Sequence, residues 1–340
     1  MHAIRQHAFG PAENLRYEEV ADPHPGPGQV RIAVAAAGVH LVDTMIRQGV
    51  QGGPFPRPEL PMTPGREVAG VVDEIGADVD PVWLGRRVVT HLGMAGGGYA
   101  ELAVREVESL HVLPEDVGFE AAVAMIGTGR TTMAILRIAG MTPDDDVVVV
   151  TSAAGGIGNL LVQRGRTVGA TVVGAAGSAA KVEKVRALGA AVAVDYTTPD
   201  WTTAVRDQLG GREATLVLDG AGGRYGREAF DLLGSGGRIV MYGRPFGPEH
   251  RFTSEDLFDR ALSATVGLGP NLLKTPGGLR ALEEESMTAL AGGGLTPLVH
   301  APSRSPRPRP PTPPWKIVGP TARSCSNHDR FSFLLSIIRK

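Results

Sequence analysis

The sequence predicts an α/β protein made of a β-rich domain and a second domain with a doubly wound parallel sheet. Three observations carry this prediction. Short apolar stretches separated by turns fill the first third of the chain, apolar runs and helical segments alternate from about Ala121 onward, and a glycine-rich turn joins the first buried strand of that series to a helix. A chain of 340 residues is long enough for two domains.

Composition narrows the functional class. Apolar residues make up 42% of the chain and charged residues 21%, as in a packed globular protein. The net charge is −2, without the long basic run that nucleic acid or an anionic membrane would attract. No segment has the length and apolarity of a signal peptide or a membrane span. The single cysteine, Cys325, excludes a disulfide framework and a cysteine-based zinc site, so we expect a cytoplasmic protein.

The β-rich domain is predicted from residues 1–120. Its apolar stretches at 28–38, 65–76 and 85–93 are rich in Val and Ile and bounded by Gly and Pro, which indicates strands of an irregular, mostly antiparallel domain.

The second domain is predicted from 121–265. Its short apolar strands alternate with helices, the pattern of a parallel sheet covered on both faces. We predict strands at 147–152, 170–176, 191–195, 214–219 and 237–242, and helices at 156–168, 178–188, 201–209 and 224–233. The segments 255–264 and 276–292 are predicted to be helical, and 295–299 to be one more strand.

The glycine-rich turn lies in VVVVTSAAGGIG, between a buried strand and a helix. Gly155 allows the backbone to approach a pyrophosphate, Gly158 allows close packing of the helix on the strand, and the N–H groups of the first helical turn face the phosphates. The first glycine of the usual pattern is replaced by Ala153. The strand–turn–helix setting favours a dinucleotide over a tight turn without a ligand.

The segment GAAGSAAK follows about twenty residues later, where an NAD-binding protein carries an acid for the ribose. It contains no carboxylate. Ser178 and Lys181 instead supply a hydroxyl and a positive charge suited to a 2′-phosphate, which favours NADP. Ser178 is also a candidate N-cap of the following helix, and one residue can serve both purposes.

In these motifs and their order, the chain resembles the zinc-independent quinone oxidoreductases, the zeta-crystallin-like branch of the medium-chain dehydrogenase/reductase superfamily. The similarity extends from about Gly10 to about Val299. The matching segments are AAAGVHLVDTMIRQG at 35–49, PGREVAGVV at 64–72, GGYAELAV at 97–104, AAGGIG at 153–158, GSAAKVEKVRALGA at 177–190, VDYTTPDW at 194–201 and GGRIVMYG at 236–243.

The resemblance implies a GroES-like catalytic domain and a Rossmann NADPH-binding domain, with the active site in the cleft between them. It implies a return of the chain to the catalytic domain over 266–301, NADPH as hydride donor, and often a homodimer. By motif position it assigns residues to the cofactor: Ser178, Lys181 and Tyr196 to the 2′-phosphate, Ala154, Gly155, Gly156, Ile157 and Gly158 to the pyrophosphate turn, Tyr242 and Gly243 to the adenosine side, and Leu268 to the nicotinamide.

Zinc alcohol dehydrogenases are the nearest alternative within the superfamily. Their cysteine ligand falls at about His40 in this chain and their histidine ligand at Arg66, which cannot bind zinc. Asp43 and Glu67 do not complete a tetrahedral set. We therefore expect no metal.

The resemblance implies hydride transfer from NADPH to a quinone or an α,β-unsaturated carbonyl. Without a metal, hydrogen-bond donors must stabilise the charge that develops on the substrate oxygen. Tyr99, His40 and Thr131 are the candidates, and Asp43 is expected to orient the loop or a partner. His40 replaces the asparagine usual in the family, so it is either a donor to a carbonyl or a structural histidine; Met45 replaces a common aromatic residue. The alternative function is a non-catalytic NADPH-binding protein, crystallin-like or a redox sensor.

The segment 302–340 departs from this pattern. It is rich in Pro and Arg, so we expect it to lack the last helix and strand that close the catalytic domain. Back-translation from Ser303 with a one-base shift permits FPLAAAAAAHAAMEDRRTDGKVVL, an ending of the family type. We therefore hypothesise a frameshift after about Pro302, with a natural Pro-rich extension as the alternative.

Overall fold

Two six-stranded sheets organise the chain, as seen in a computed structural model that describes residues 1–50, 57–93, 95–142, 145–243, 252–299 and 316–318. The sheets belong to two compact units. The first unit comprises Met1–Gly127, Met287–Ala291 and Leu298–Lys340, and the second comprises Thr128–Ser286 and Gly292–Pro297.

The first unit is the β-rich one. Its helices and strands are β1 (His2–Gln6), β2 (Leu15–Glu19), β3 (Gln29–Gly38), α1 (Leu41–Gln48), β4 (Glu67–Ile75), β5 (Arg87–His91), β6 (Leu102–Glu106), β7 (His111–Val112) and α2 (Phe119–Ile126), with short 3₁₀ turns at Ala12–Asn14, Pro81–Trp83 and Val107–Ser109.

The long strand β3 organises this unit. Every second residue along most of it is buried, because Val30, Ile32 and Val34 point into the core while their neighbours are partly exposed. It pairs antiparallel with β4 and with β6, and β4 continues the sheet through β5 to β7. The prediction of a mostly antiparallel domain is confirmed.

Helix α2 packs in the first unit, although we predicted the domain boundary before it, at 121. Val123 and Ile126 lie in one buried cluster with Ala36 of β3 and Val89 of β5. Because this apolar face is covered by the sheet of the first unit, the division falls between Gly127 and Thr128 instead.

The second unit holds a parallel sheet with the order β10-β9-β8-β11-β12-β13. All five residues of β8 are buried, as expected for a central strand covered on both faces. Its elements are α3 (Thr128–Ala139), β8 (Val147–Thr151), α4 (Gly156–Thr167), β9 (Thr171–Ala176), α5 (Ala179–Ala187), β10 (Val192–Asp195), α6 (Trp201–Leu209), β11 (Ala214–Asp219), α7 (Gly223–Phe230), β12 (Leu233–Met241), α8 (Ser254–Phe258), β13 (Ser263–Val266), α9 (Pro270–Leu273) and α10 (Gly278–Ala291).

Each strand and helix predicted between 147 and 242 is present in the predicted order, and the GroES-like plus Rossmann class is confirmed. Two predictions after it are wrong. The helix predicted at 255–264 ends at Phe258, and Ser263–Val266 forms β13, which pairs parallel with β12. No strand forms at 295–299, because the backbone N–H and carbonyl of Thr296 are both bonded to the side chain of Gln163.

The chain returns to the first unit at Met287, later than the predicted 266. β13 extends the sheet of the second unit, and Glu283 of α10 pairs with Arg130 of α3 in the same unit, with 2.7 Å between Oε1 and the Arg130 side chain. These contacts hold 266–286 in the second unit. Met287 and Leu290 then pack against the buried cluster of the first unit.

One strand follows residue 302, contrary to our expectation that this segment supplies none. β14 (Lys316–Val318) pairs parallel with Ala36–Gly38 of β3. Strand pairing uses backbone groups, and these three residues include no proline, so the local sequence permits it. Residues 302–315 and 319–340, among them Cys325, lie outside the described residues, and so does our expectation that a last helix is absent there. Within the described ranges, no helix has the length and apolarity to cross a membrane.

Candidate cofactor and catalytic sites

The glycine-rich turn links β8 to α4. Ser152 takes a left-handed backbone conformation (φ 52°), Gly155 is the N-cap of α4, and the N–H of Gly155 donates to the carbonyl of Ser152 over 2.8 Å. A β-carbon built on Gly158 would lie 2.3 Å from that same carbonyl oxygen. The turn therefore requires glycine at 158, as the sequence predicted.

The turn presents polar groups suited to an anion. Ser152 Oγ is buried and has no hydrogen-bond partner among the described residues. The first N–H groups of a helix have no partner within it, and together with the helix dipole they favour a phosphate. A buried hydroxyl without a partner next to such a helix start indicates a missing polar ligand. The predicted pyrophosphate residues, Ala154 and Gly155 to Gly158, fit this group.

The neighbouring strand ends are tied together by a buried carboxylate that the sequence reasoning missed. Asp219, at the end of β11, accepts hydrogen bonds from the hydroxyl of Thr151 and from the N–H of Gly222 (3.0 Å). Tyr242, after β12, donates to the carbonyl of Thr151 over 3.2 Å. A β-carbon on Gly243 would lie 2.1 Å from the carbonyl of Gly220. The predicted adenosine residues Tyr242 and Gly243 thus lie at the same sheet edge as the glycine-rich turn, and the signal for Asp219 was an acid directly before GAGG.

The three residues predicted for the 2′-phosphate follow adjacent strands. Ser178 and Lys181 lie at the start of α5 after β9, and Tyr196 follows β10, which pairs with β9. Ser178 is the N-cap residue of α5, but its side chain makes no capping hydrogen bond. The ring of Tyr196 packs on Tyr225 with 4.4 Å between the ring centroids. Tyr225 was not predicted.

Two predicted residues lie elsewhere in the second unit. Leu268 follows β13 and is partly buried against the core that contains β8 and β12. Thr131 lies in α3 and is partly exposed.

The other three predicted catalytic residues meet in the first unit. Asp43 Oδ2 accepts the backbone N–H of His40 (2.7 Å) and the hydroxyl of Tyr99 (3.0 Å), and Asp43 Oδ1 lies 3.4 Å from Nε of Arg66. Tyr99 is 2% exposed. Burial, with the charge of Asp43 and its hydrogen bond, raises the pKa of Tyr99 well above its ordinary value. Tyr99 therefore remains protonated and holds Asp43, which in turn fixes the start of α1.

A second carboxylate in this unit, Glu67, was considered in the sequence only as an incomplete zinc ligand. His40 Nε2 is hydrogen-bonded to Glu67 Oε2, and His91 Nε2 lies 3.9 Å from Glu67 Oε1. The side chain of His40 is 20% exposed and that of Glu67 1%. Burial lowers the pKa of His40, but the charge and the hydrogen bond of Glu67 outweigh burial, so the pKa lies above its ordinary value.

Within the described ranges, no three side chains of His, Cys, Asp or Glu are grouped so that they could hold a metal ion. Arg66, at the position of a zinc ligand in the alternative family, faces Asp43 instead.

Comparison with known proteins gives matches along most of the chain. Residues 26–115 match the alcohol dehydrogenase GroES-like domain, and residues 156–274 match the zinc-binding dehydrogenase family. The chain is 33% identical to a 2-haloacrylate reductase from a Burkholderia species, over 71% of this chain and 72% of that one. It is 31% identical to a quinone oxidoreductase of Pseudomonas aeruginosa, over 71% and 73%.

A solved structure supports the same likeness. The Escherichia coli quinone oxidoreductase complexed with NADPH superposes with a TM-score of 0.75 at 26% identity, over 87% of this chain and 89% of that one.

Proposed function

Because the chain belongs to the quinone oxidoreductase family of the medium-chain dehydrogenase/reductase superfamily, we propose that it uses NADPH to reduce a quinone or an α,β-unsaturated carbonyl compound. The observation that carries the proposal is the turn at 152–158, where the buried hydroxyl of Ser152 has no partner among the described residues beside the start of α4. The relatives named above reduce quinones or a 2-haloacrylate, and a haloacrylate is an activated alkene next to a carboxyl group.

In the proposed function, residues of the second unit bind NADPH. Residues 154–158 would bind the pyrophosphate through backbone N–H groups, and Tyr242 and Gly243 would border the adenosine. Ser178, Lys181 and Tyr196 would bind the 2′-phosphate, which Lys181 attracts by charge. Leu268 would border the nicotinamide. When bound, NADPH supplies the hydride.

The proton is proposed to come from His40. Asp43 and Tyr99 are buried and bonded to each other, so they position the loop without reaching a substrate. His40 keeps 20% of its side chain exposed and sits on the carboxylate of Glu67. Thr131 is the alternative donor.

We propose that the reduction proceeds without zinc. Support comes from Arg66, a cation that pairs with Asp43 at the position where a zinc enzyme of this superfamily carries a histidine ligand. A guanidinium cannot bind a metal ion and repels one electrostatically.

We also propose a homodimer. Support comes from β13, an edge strand of the sheet of the second unit. Val266 on β13 is 49% exposed and Phe258 on the preceding helix is 85% exposed. An edge strand flanked by exposed apolar side chains favours association with a second copy.

The test is to titrate the purified protein with NADPH by calorimetry and then to follow NADPH oxidation with phenanthrenequinone, cyclohexenone and a 2-haloacrylate. We expect binding in the micromolar range or tighter, and oxidation with at least one acceptor. The matched control is Gly158→Val, which should weaken NADPH binding at least about tenfold and lower the rate of oxidation with it. Binding without oxidation across the panel would reject the enzyme and support the non-catalytic NADPH-binding alternative; absence of binding would reject both.

A further inference from the structure

Glu67 is a buried carboxylate that two histidines approach from different strands and loops. Its side chain is 1% exposed, with His40 on Oε2 and His91 on Oε1. A buried charge is costly unless it is paired. In an enzyme that works without a metal, a carboxylate of this kind next to a partly exposed histidine is a device for setting the charge of that histidine.

The position of the carboxylate is fixed by backbone on two sides. A β-carbon on Gly38 would lie 2.6 Å from Glu67 Oε2, and one on Gly127 would lie 1.7 Å from Glu67 Oε1. Both glycines lie in the first unit. Any larger residue at either site would displace Glu67, so the fold keeps this space for a carboxylate.

His91 completes the arrangement. Its Nδ1 accepts the N–H of Gly93 over 2.9 Å, so the neutral ring carries its proton on Nε2. That nitrogen lies 3.9 Å from Oε1, too far for a hydrogen bond but close enough for an electrostatic contact. His91 thus presents a positive N–H dipole to one oxygen of Glu67 and leaves the other oxygen to His40.

We propose that Glu67 is the positioning residue for proton delivery: held by His91, it orients His40 and keeps it protonated so that His40 can protonate the reduced acceptor. This rests on the proposed function. When the acceptor carbon has gained the hydride, its oxygen carries a negative charge. An N–H bond of the His40 imidazolium breaks, the proton bonds to the acceptor, and His40 is left neutral. A proton from water restores the imidazolium.

Other charges near His40 modulate this state. Asp43, on α1, also favours the imidazolium, whereas Arg66, directly before β4, opposes it. His91 on β5 faces the same carboxylate. Without Glu67, burial and Arg66 still lower the pKa of His40, and only Asp43 still raises it. The imidazolium should therefore lose most of its stabilisation.

The test uses the full chain with Glu67→Gln, and Glu18→Gln as the matched control. Glu18 also pairs with a histidine, His7, at 2.9 Å, but on the exposed surface. Histidine side chains are titrated by NMR, with His40→Asn identifying the His40 signal, and the kcat of NADPH oxidation is measured across pH.

For Glu67→Gln we expect two midpoints to shift to lower pH by at least one unit: that of the His40 titration, and that of the fall in kcat at high pH, here called the high-pH limb. A shift of one unit is a tenfold change in proton affinity. Glu18→Gln should move neither, the NADPH Kd should be unchanged in both, and Glu67→Asp should restore part of the shift. In His40→Asn, residue 40 does not titrate, so the high-pH limb of kcat should disappear. This variant tests proton delivery by His40 if Glu67→Gln does not fold.

An active wild-type protein whose limb is unmoved by Glu67→Gln, or is retained in His40→Asn, would overturn the inference and leave the proposed function intact. If the wild-type protein does not oxidise NADPH with any of the acceptors tested, the proposed function itself is overturned.

Discussion

Gly158 lies so close to the carbonyl oxygen of Ser152 that a β-carbon at 158 would come within 2.3 Å of it. The same carbonyl accepts the N–H of Gly155, so it cannot move away without opening the turn. The conformation that leaves the Ser152 hydroxyl without a partner among the described residues therefore depends on the absence of a side chain at 158.

Gly158→Val tests this dependence. The valine side chain must displace the Ser152 carbonyl, so NADPH affinity should fall at least about tenfold, equivalent to ~1.4 kcal/mol. Calorimetric titration measures the Kd, and circular dichroism checks that the fold persists. Gly155→Ala is the graded comparison, since its β-carbon would lie 3.1 Å from the same oxygen and should perturb binding less. Unaltered affinity in Gly158→Val would exclude this turn as the phosphate site.

Ser178 and Lys181 should select NADPH over NADH. In Lys181→Ala, loss of a charge-assisted contact with the 2′-phosphate should weaken NADPH about tenfold or more, given ~1.5–3 kcal/mol for a hydrogen bond to a charged group. NADH, which lacks that phosphate, should bind as before. Ser178→Ala should act in the same direction with a smaller effect. The Ser178 side chain caps no helix N–H in this structure, so its removal should leave α5 undisturbed. Equal loss of both cofactors would mean that these residues support the fold and not the phosphate.

The second unit was predictable because its signals are local. The buried run at 147–150, the glycine turn and the following helix are neighbours in sequence, so period and turn chemistry suffice. β13 was mistaken for helix because its pairing with β12 is a tertiary effect. Residues 295–299 fail as a strand for a similar reason, since a distant side chain, Gln163, takes the hydrogen bonds of Thr296.

The cluster of His40, Asp43, Glu67, His91 and Tyr99 in the first unit was predictable only in part. Asp43 and His40 lie three residues apart and meet at a helix start, a local relationship. His91 and Glu67 are brought together by the pairing of β4 with β5, and their spacing in the sequence does not predict this contact. The exposed fraction of Tyr99 also depends on packing, and burial is what changes it from a candidate donor into a support for Asp43.

The frameshift hypothesis for 302–340 stays a prediction, and the pairing of β14 with β3 gives it a stability test. We expect the encoding nucleotides, shifted by one base after about Pro302, to restore the GKVVL ending. A chain carrying that ending should unfold at higher urea concentration than this one, because the family-type helix and strand would cover more of the first unit. If no single-base shift restores GKVVL, the tail is a natural extension.

The pair His40–Glu67 should make stability depend on pH with a definite sign. The folded pKa of His40 is raised above the value of about 6.5 expected in the unfolded chain. The pair's contribution is therefore complete below that unfolded value and is lost as pH rises through the folded pKa, because the folded state holds the proton more tightly. Urea denaturation of the wild type and of His40→Asn, across neutral and alkaline pH, measures the contribution as the difference between their free energies of unfolding. That difference should shrink as pH rises, by about 1.4 kcal/mol for each unit of pKa elevation. Glu67→Gln should abolish the shrinkage, since the carboxylate is its cause. A difference that is the same at every pH would show that folding does not raise the pKa of His40, and the carboxylate would then serve as a structural acceptor alone.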